Sequence, residues 1–173
     1  MATLRNGLLL DTNVWLDYCL PNRAGHEASF KLIDACLRKG IPLYCAISSL
    51  KDVFYLIERA IRNALSKEGK KNEGISTEIA WGMLERIRDI AQPVASDASD
   101  VWIAAKCRSL HDDFEDNMII AACMRVSANH LVTDDAKLRE DAQVSTLRPD
   151  QALALLELLF QAPSFRRLFR FCI

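Results

Sequence analysis

The sequence has little net charge, few histidines and no long apolar run, and each shortage removes a class of protein. Twenty-two basic residues against 23 acidic ones leave a formal charge of −1. Any grip on nucleic acid must therefore come from a local patch, not from the molecule as a whole. The three histidines, His26, His111 and His130, are scattered, and the six cysteines contain no Cys-x-x-Cys pair, so no zinc site is legible. Cys19, Cys36, Cys45, Cys107, Cys123 and Cys172 mostly fall inside apolar patterns and read as reduced core residues of a cytosolic chain. No stretch approaches the ~20 apolar residues of a membrane span. The apolar run after Arg5 stops at Asp11, too short for a signal peptide. The expectation is a soluble, cytoplasmic protein with no membrane partner.

At 173 residues, half of them apolar, the chain is long enough for one domain with a substantial core. There is no internal repeat. Leu8-Leu9-Leu10 reads as a short buried strand ending in Asp11. Val14, Leu16 and Leu20 belong to a short helix closed by Pro21-Asn22. A helix over about 24–38 carries Phe30, Ile33 and Leu37, and Gly40 stops it. Residues 41–47 suggest a second strand, with Ser48 or Ser49 capping the next helix. That helix has the stripe Leu50, Val53, Phe54, Ile57 and Ile61, and leaves Asp52 off it. A polar loop from Ser66 to Gly74 precedes a helix over about 76–91, capped by Ser76, Thr77 or a neighbour. Pro93-Val94-Ala95 is a weak third strand. Helices over about 98–110 and 114–128 follow, then the strand Leu131-Val132-Thr133 and a brief helical turn. An edge strand at 144–147 leads into a last helix from Pro149. Strands alternating with helices argue for a three-layer α/β/α sandwich with a mainly parallel central sheet. The domain covers 1–161. Residues 162–173 mix three arginines with aromatics, as a partner-binding segment or a packed helix extension.

The chemistry lies in carboxylates at strand ends and helix starts. Asp11 ends the first strand, Asp134 and Asp135 end a later one, and Asp52 follows the second by one helical turn. Asp116, in His111-Asp112-Asp113-Phe114-Glu115-Asp116-Asn117, shares a helix face with Ile119, Ile120 and Cys123. A carboxylate on an inward stripe is expensive to bury unless a positive group meets it. Each acid also has a plain structural reading. Asp11 suits a helix cap, Asp52 a first-turn acid, Asp113 with Asp116 an N-cap pair, and Asp134-Asp135 an acidic turn. Taken as a set, oxygen-rich ligation suits Mg²⁺ or Mn²⁺. Such ions activate water for in-line phosphodiester hydrolysis without a covalent intermediate.

In order along the chain, Leu8-Leu9-Leu10-Asp11-Thr12-Asn13-Val14, Ser48-Ser49-Leu50-Lys51-Asp52-Val53-Phe54-Tyr55, Asp113-Phe114-Glu115-Asp116 and Leu131-Val132-Thr133-Asp134-Asp135 resemble the motifs of PIN domains. The likeness runs from about residue 8 to 155 and is nearest to the bacterial branch that includes VapC-type toxins. The resemblance implies a PIN fold and a Mg²⁺- or Mn²⁺-dependent endoribonuclease, the toxin of a toxin–antitoxin pair. It implies Asp11 and Asp116 as metal ligands, Asp52 in a position where relatives carry an acid, and Asp135 as a further ligand with Asp134 as a substitute. Asn13, Thr133 and Asp113 become supporting residues. RNA, an antitoxin and a second copy of the chain are the implied partners. Arg59, Arg62, Lys67, Lys70 and Lys71 form the densest basic run, suited to phosphates, to an acidic antitoxin or simply to solvent. The sequence departs from the family in its polar 66–74 stretch and in Asn117, where relatives often carry alanine. A catalytically weak PIN-like binding module is the alternative. A haloacid-dehalogenase-type phosphatase wants an aspartate two residues after the first, where Asn13 stands.

Overall fold

A computed structural model describes residues 4–161. The 162–173 segment and Cys172 lie outside the described residues. In chain order the elements are β1 (Leu8–Leu10), α1 (Thr12–Cys19), α2 (His26–Lys39), β2 (Leu43–Ala46), α3 (Ile47–Lys67), α4 (Ile75–Ile90) and β3 (Gln92–Val94). They continue with α5 (Ala98–Cys107), α6 (Phe114–Arg125), β4 (His130–Val132), α7 (Ala136–Asp141), β5 (Thr146–Leu147) and α8 (Pro149–Gln161). The five strands form one sheet in the order β3-β2-β1-β4-β5, and every pairing is parallel.

The alternation of side chains along a strand splits the core into two layers. Leu8 and Leu10 of β1 join α1, α2, α3, α4 and α8 on one face, around Trp15, Leu32, Ile33, Val53, Ile57, Ile87 and Leu156. Leu9 and Leu131 face the other way, onto Ile119, Ile120 and Cys123 of α6 and Leu138 of α7. All three β1 leucines are completely buried. This is the expected sandwich, with a sheet wholly rather than mainly parallel. Both rims are short of backbone donors: β3 has Pro93 at its centre and β5 is two residues long.

Strand order reverses direction beside β1: β2 and β3 lie on one side, β4 and β5 on the other. Ligands in open parallel sheets bind beyond the carboxyl ends of the strands at such a switch. Leu10 pairs in register with Val132, so Asp11 and Thr133 leave the sheet side by side, and the Asp11 amide still donates to the Val132 carbonyl at 3.0 Å. At the opposite edge Gly7 has φ 71°, and a Cβ there would lie 2.2 Å from the Pro42 carbonyl oxygen. Only glycine fits that approach.

Several boundaries differ from the sequence reading. The second strand is shorter, and Ile47 already belongs to α3. Ser48 and Ser49 do not cap that helix. Ala46 is at once the last residue of β2 and the residue before α3, so the chain turns with no side-chain cap. Both serines then fall in the first helical turn, their hydroxyls buried without a partner among the described residues. At α4, Asn72 accepts from the Ser76 amide at 2.9 Å, while the Ser76 and Thr77 hydroxyls turn to Glu58. Gly40 stops α2 in the left-handed region at φ 64°, as expected. Cys19, Cys36, Cys45, Cys107 and Cys123 are free and buried, and burial pushes the thiols of all but Cys107 up to about 12. Among the described residues, no helix is long and apolar enough to cross a membrane.

Candidate functional site

Asp11 is held from three directions where β1 gives way to α1. It caps α1, its Oδ1 accepting from the Thr12 amide at 2.6 Å. Its Oδ2 accepts from Asn13 Nδ2 and from the Thr133 hydroxyl, each at 2.6 Å. Thr133 uses its whole hydrogen-bonding capacity: it donates to Asp11 and accepts from Asn13 at 3.1 Å and from the Asp135 amide at 3.0 Å. Asn13 and Thr133 thus join the two strand ends. Behind them Trp15, fully buried, donates its indole N–H to the Leu10 carbonyl.

Despite those donors, the Asp11 carboxyl is pushed up to about 7. Burial is the main cause, the Thr133 hydrogen bond opposes it, and the charges of Asp116 and Glu115 add to the rise. The acids therefore lie in one another's field. Burial also raises Asp116, with Asp113 and Asp135 adding to it and His111 opposing. Glu115 is raised by burial and then by Asp52, Asp113 and Asp116. It lies 3.5 Å from the Thr12 hydroxyl. The structure brings Asp11, Asp52, Asp113, Asp116 and Asp135 of the expected set to one place and adds Glu115.

Each acid also does local structural work. Asp113 caps α6 by accepting from the Glu115 and Asp116 amides at 2.8 and 3.3 Å. Asp135 caps α7 through the Leu138 amide at 2.9 Å. Asp52 is partly exposed and lies 3.4 Å from the Lys51 ammonium. Asp134 keeps different company: it lies in the field of Asp17, Arg139, Asp150 and Arg148, and a Cβ on Gly25 would come within 3.4 Å of its Oδ2. Of the basic run, Arg59 follows Asp52 by two turns along one face of α3, and the others stand farther along the chain. Arg62 pairs with Glu58, Lys70 with Glu68 and Lys71 with Glu73. Lys67 is 15 residues beyond Asp52 on α3, about 22 Å along the axis.

A cleft of about 280 Å³ opens beside Asp116, lined by His111, Asp112, Asp113, Asp116, Asp135 and Lys137. Its buried member is His111, 2% exposed. His111 and Glu115 are the site residues that sequence reasoning missed. Glu115 sits one residue off the inward stripe that singled out Asp116, and the second partner of His111, Asp141, comes from α7. Burial is the largest influence on the His111 ring and lowers its pKa, but Asp141 and Asp116 together bring it above the ordinary value.

Among the described residues, no three His, Cys, Asp or Glu side chains stand close enough to enclose an ion as they are. The donor set nevertheless fits a hard divalent cation: carboxylate oxygens only, one of them nearly fully buried, with acids as its charged neighbours. Asp11, Asp113 and Asp135 rest on local amide or hydroxyl donors, Asp116 on the His111 ring and Asp52 beside Lys51.

The fold and site define a parallel α/β protein with an acid cluster at its topological switch. A family model described as PIN domain matches residues 7–137, and the chain belongs to the PIN domain family. Among solved structures it is similar to VapBC2 from Rickettsia felis, solved bound to a DNA fragment from their promoter. That match has 12% identity and a TM-score of 0.60, and covers 82% of this chain and 97% of that one. It is also similar to FitAcB from Neisseria gonorrhoeae, with 20% identity, a TM-score of 0.58 and the same 82% and 97% coverage. At these identities the likeness is one of fold. No curated protein sequence matches the chain.

Proposed function

We propose that this chain is an endoribonuclease that hydrolyses RNA phosphodiester bonds with Mg²⁺ or Mn²⁺, a cytoplasmic toxin restrained by an antitoxin protein. One observation carries the reading: Asp11 is buried, has no basic group within bonding distance among the described residues, and is raised by burial and then by Asp116 and Glu115. A fold does not maintain such a group for stability, because burying an unneutralised carboxylate is unfavourable. Asp11, Asp116 and Glu115 would hold the ion, with Asp135 and Asp52 at its margins. When bound, it would supply an acidified water and stabilise charge on the phosphate.

The chain's own part is to prepare these oxygens. Asn13, Thr133 and the Thr12 amide fix both oxygens of Asp11. The β4–α7 turn fixes Thr133 through the Asp135 amide. Lys137, which pairs with Asp112 on the cleft rim, is a basic group placed to meet a phosphate. The restraint by an antitoxin is suggested by the likeness to the VapBC2 and FitAcB structures.

The test is RNA cleavage by the purified protein with Mn²⁺, Mg²⁺ or EDTA, beside Asp116→Asn. Metal-dependent cutting that the variant loses is the expected result. Metal uptake without cutting of any RNA offered, or no metal uptake at all, would move the reading to a binding module.

A further inference from the structure

His111 stands in the turn between α5 and α6, buried to 2% exposure, and both of its ring nitrogens face carboxylates. Nε2 is 2.7 Å from Asp116 Oδ2 on α6, and Nδ1 is 3.1 Å from Asp141 Oδ2 at the end of α7. The ring thus stands between two carboxylates, within hydrogen-bond distance of each. Its backbone is pinned as well: Asn117 Nδ2 donates to the His111 carbonyl at 2.7 Å. The ring therefore ties Asp116 to the helix that Asp135 caps. It also engages one oxygen of Asp116 and leaves Oδ1 for another ligand.

We infer that His111 is a positioning residue for Asp116, itself oriented by Asp141, and that this pair sets how the Asp116 carboxylate meets a divalent cation. The inference rests on the metal-dependent reading above. A clasp that merely joined α6 to α7 would affect stability alone. A clasp that positions a ligand oxygen also affects metal affinity, and partners behind a metal ligand typically contribute 10–100-fold. Asp141 acts through His111, so its contribution should disappear once the ring is gone.

The experiment is calorimetric titration with Mn²⁺ on the whole protein, with melting temperatures taken in its absence. The set is wild type, His111→Gln, His111→Leu, Asp141→Asn, the Asp141→Asn/His111→Leu double variant and Asp116→Asn. Expected is a loss of about 10-fold or more in Mn²⁺ affinity for His111→Leu, about threefold for Asp141→Asn, and no further loss in the double variant. His111→Gln keeps one donor toward Asp116 and should fall between wild type and His111→Leu. It also serves if His111→Leu does not fold. Affinity within twofold of wild type in folded His111→Gln and Asp141→Asn overturns the inference. If Asp116→Asn alone then loses Mn²⁺, the metal site stands without this clasp. No Mn²⁺ uptake by wild type overturns both.

Discussion

Asp11 and Asp100 are about equally hidden, at 3% and 2% exposure, yet their surroundings are opposite. Asp100 lies in the first turn of α5, where it accepts from the Asp97 amide and completes a capping box. Arg125 grips it with two nitrogens, Nε to Oδ1 at 3.1 Å and Nη2 to Oδ2 at 2.7 Å, and reaches Asp97 at 2.9 Å. Asp97 is held down to about 2 by the Ser99 hydroxyl and amide and then by Arg125. Asp11 has good hydrogen bonds, no arginine beside it among the described residues, and a carboxyl pushed up to about 7. Asp100 is matched by a cation within the fold, while Asp11 is left among other acids, which is the contrast the proposed metal site rests on.

Asparagine substitution should separate the two. Asp11→Asn removes about a thousandfold or more of RNA cleavage, equivalent to about 4 kcal/mol, with the metal-free melting temperature unchanged or raised. Asp100→Asn should instead lower the melting temperature and leave cleavage by the folded fraction intact. Parallel melting curves and cleavage rates decide this, and equal behaviour of the two variants breaks the comparison.

The pH response should also run in opposite directions. In metal-free buffer, folded Asp11 keeps a proton up to about 7 that the unfolded chain loses near 3.8. Its contribution to stability is greatest below 3.8 and is lost as pH rises through 7, by up to about 4 kcal/mol. Asp97 contributes above 3.8 and loses that contribution as pH falls toward about 2. Urea titrations across this range should show the Asp11 slope in wild type and its absence in Asp11→Asn. Saturating Mn²⁺ should flatten it too, by holding the carboxylate ionised.

Arg125→Leu should lower the melting temperature, because it strands the buried Asp100 charge. Adding Asp100→Asn should recover much of the loss. The smallest effect is expected at Asp134. Because it answers to Asp17 and Arg139 and not to Asp116, Asp134→Asn should change cleavage less than about threefold. Asp135→Asn should change it more, and the reverse order would place the ion on the Asp17 side.

The legible parts of the site were those written in one stretch of chain. Three leucines and an aspartate gave β1 and Asp11, and Leu131-Val132-Thr133 gave the strand that meets it. Which of Asp134 and Asp135 turns toward Asp116 was not legible, because the turn is set by Asp135 capping α7. The Ser48-Ser49 cap failed because β2 runs directly into α3 through Ala46, with no residue to spare between them. His111 escaped notice because its meaning depends on Asp141, 30 positions away, arriving on a different helix.

The ends of the sheet have a consequence for how other molecules are met. Pro93 has no N–H to offer, and β5 has two residues along which a visiting strand could zip. Among the described residues, the sheet is therefore poorly suited to recruitment by strand addition and to edge-to-edge stacking at high concentration. The described helices and loops are the surfaces left to meet other molecules, and their faces can be changed one residue at a time without disturbing the ladder that holds Asp11 and Thr133 together.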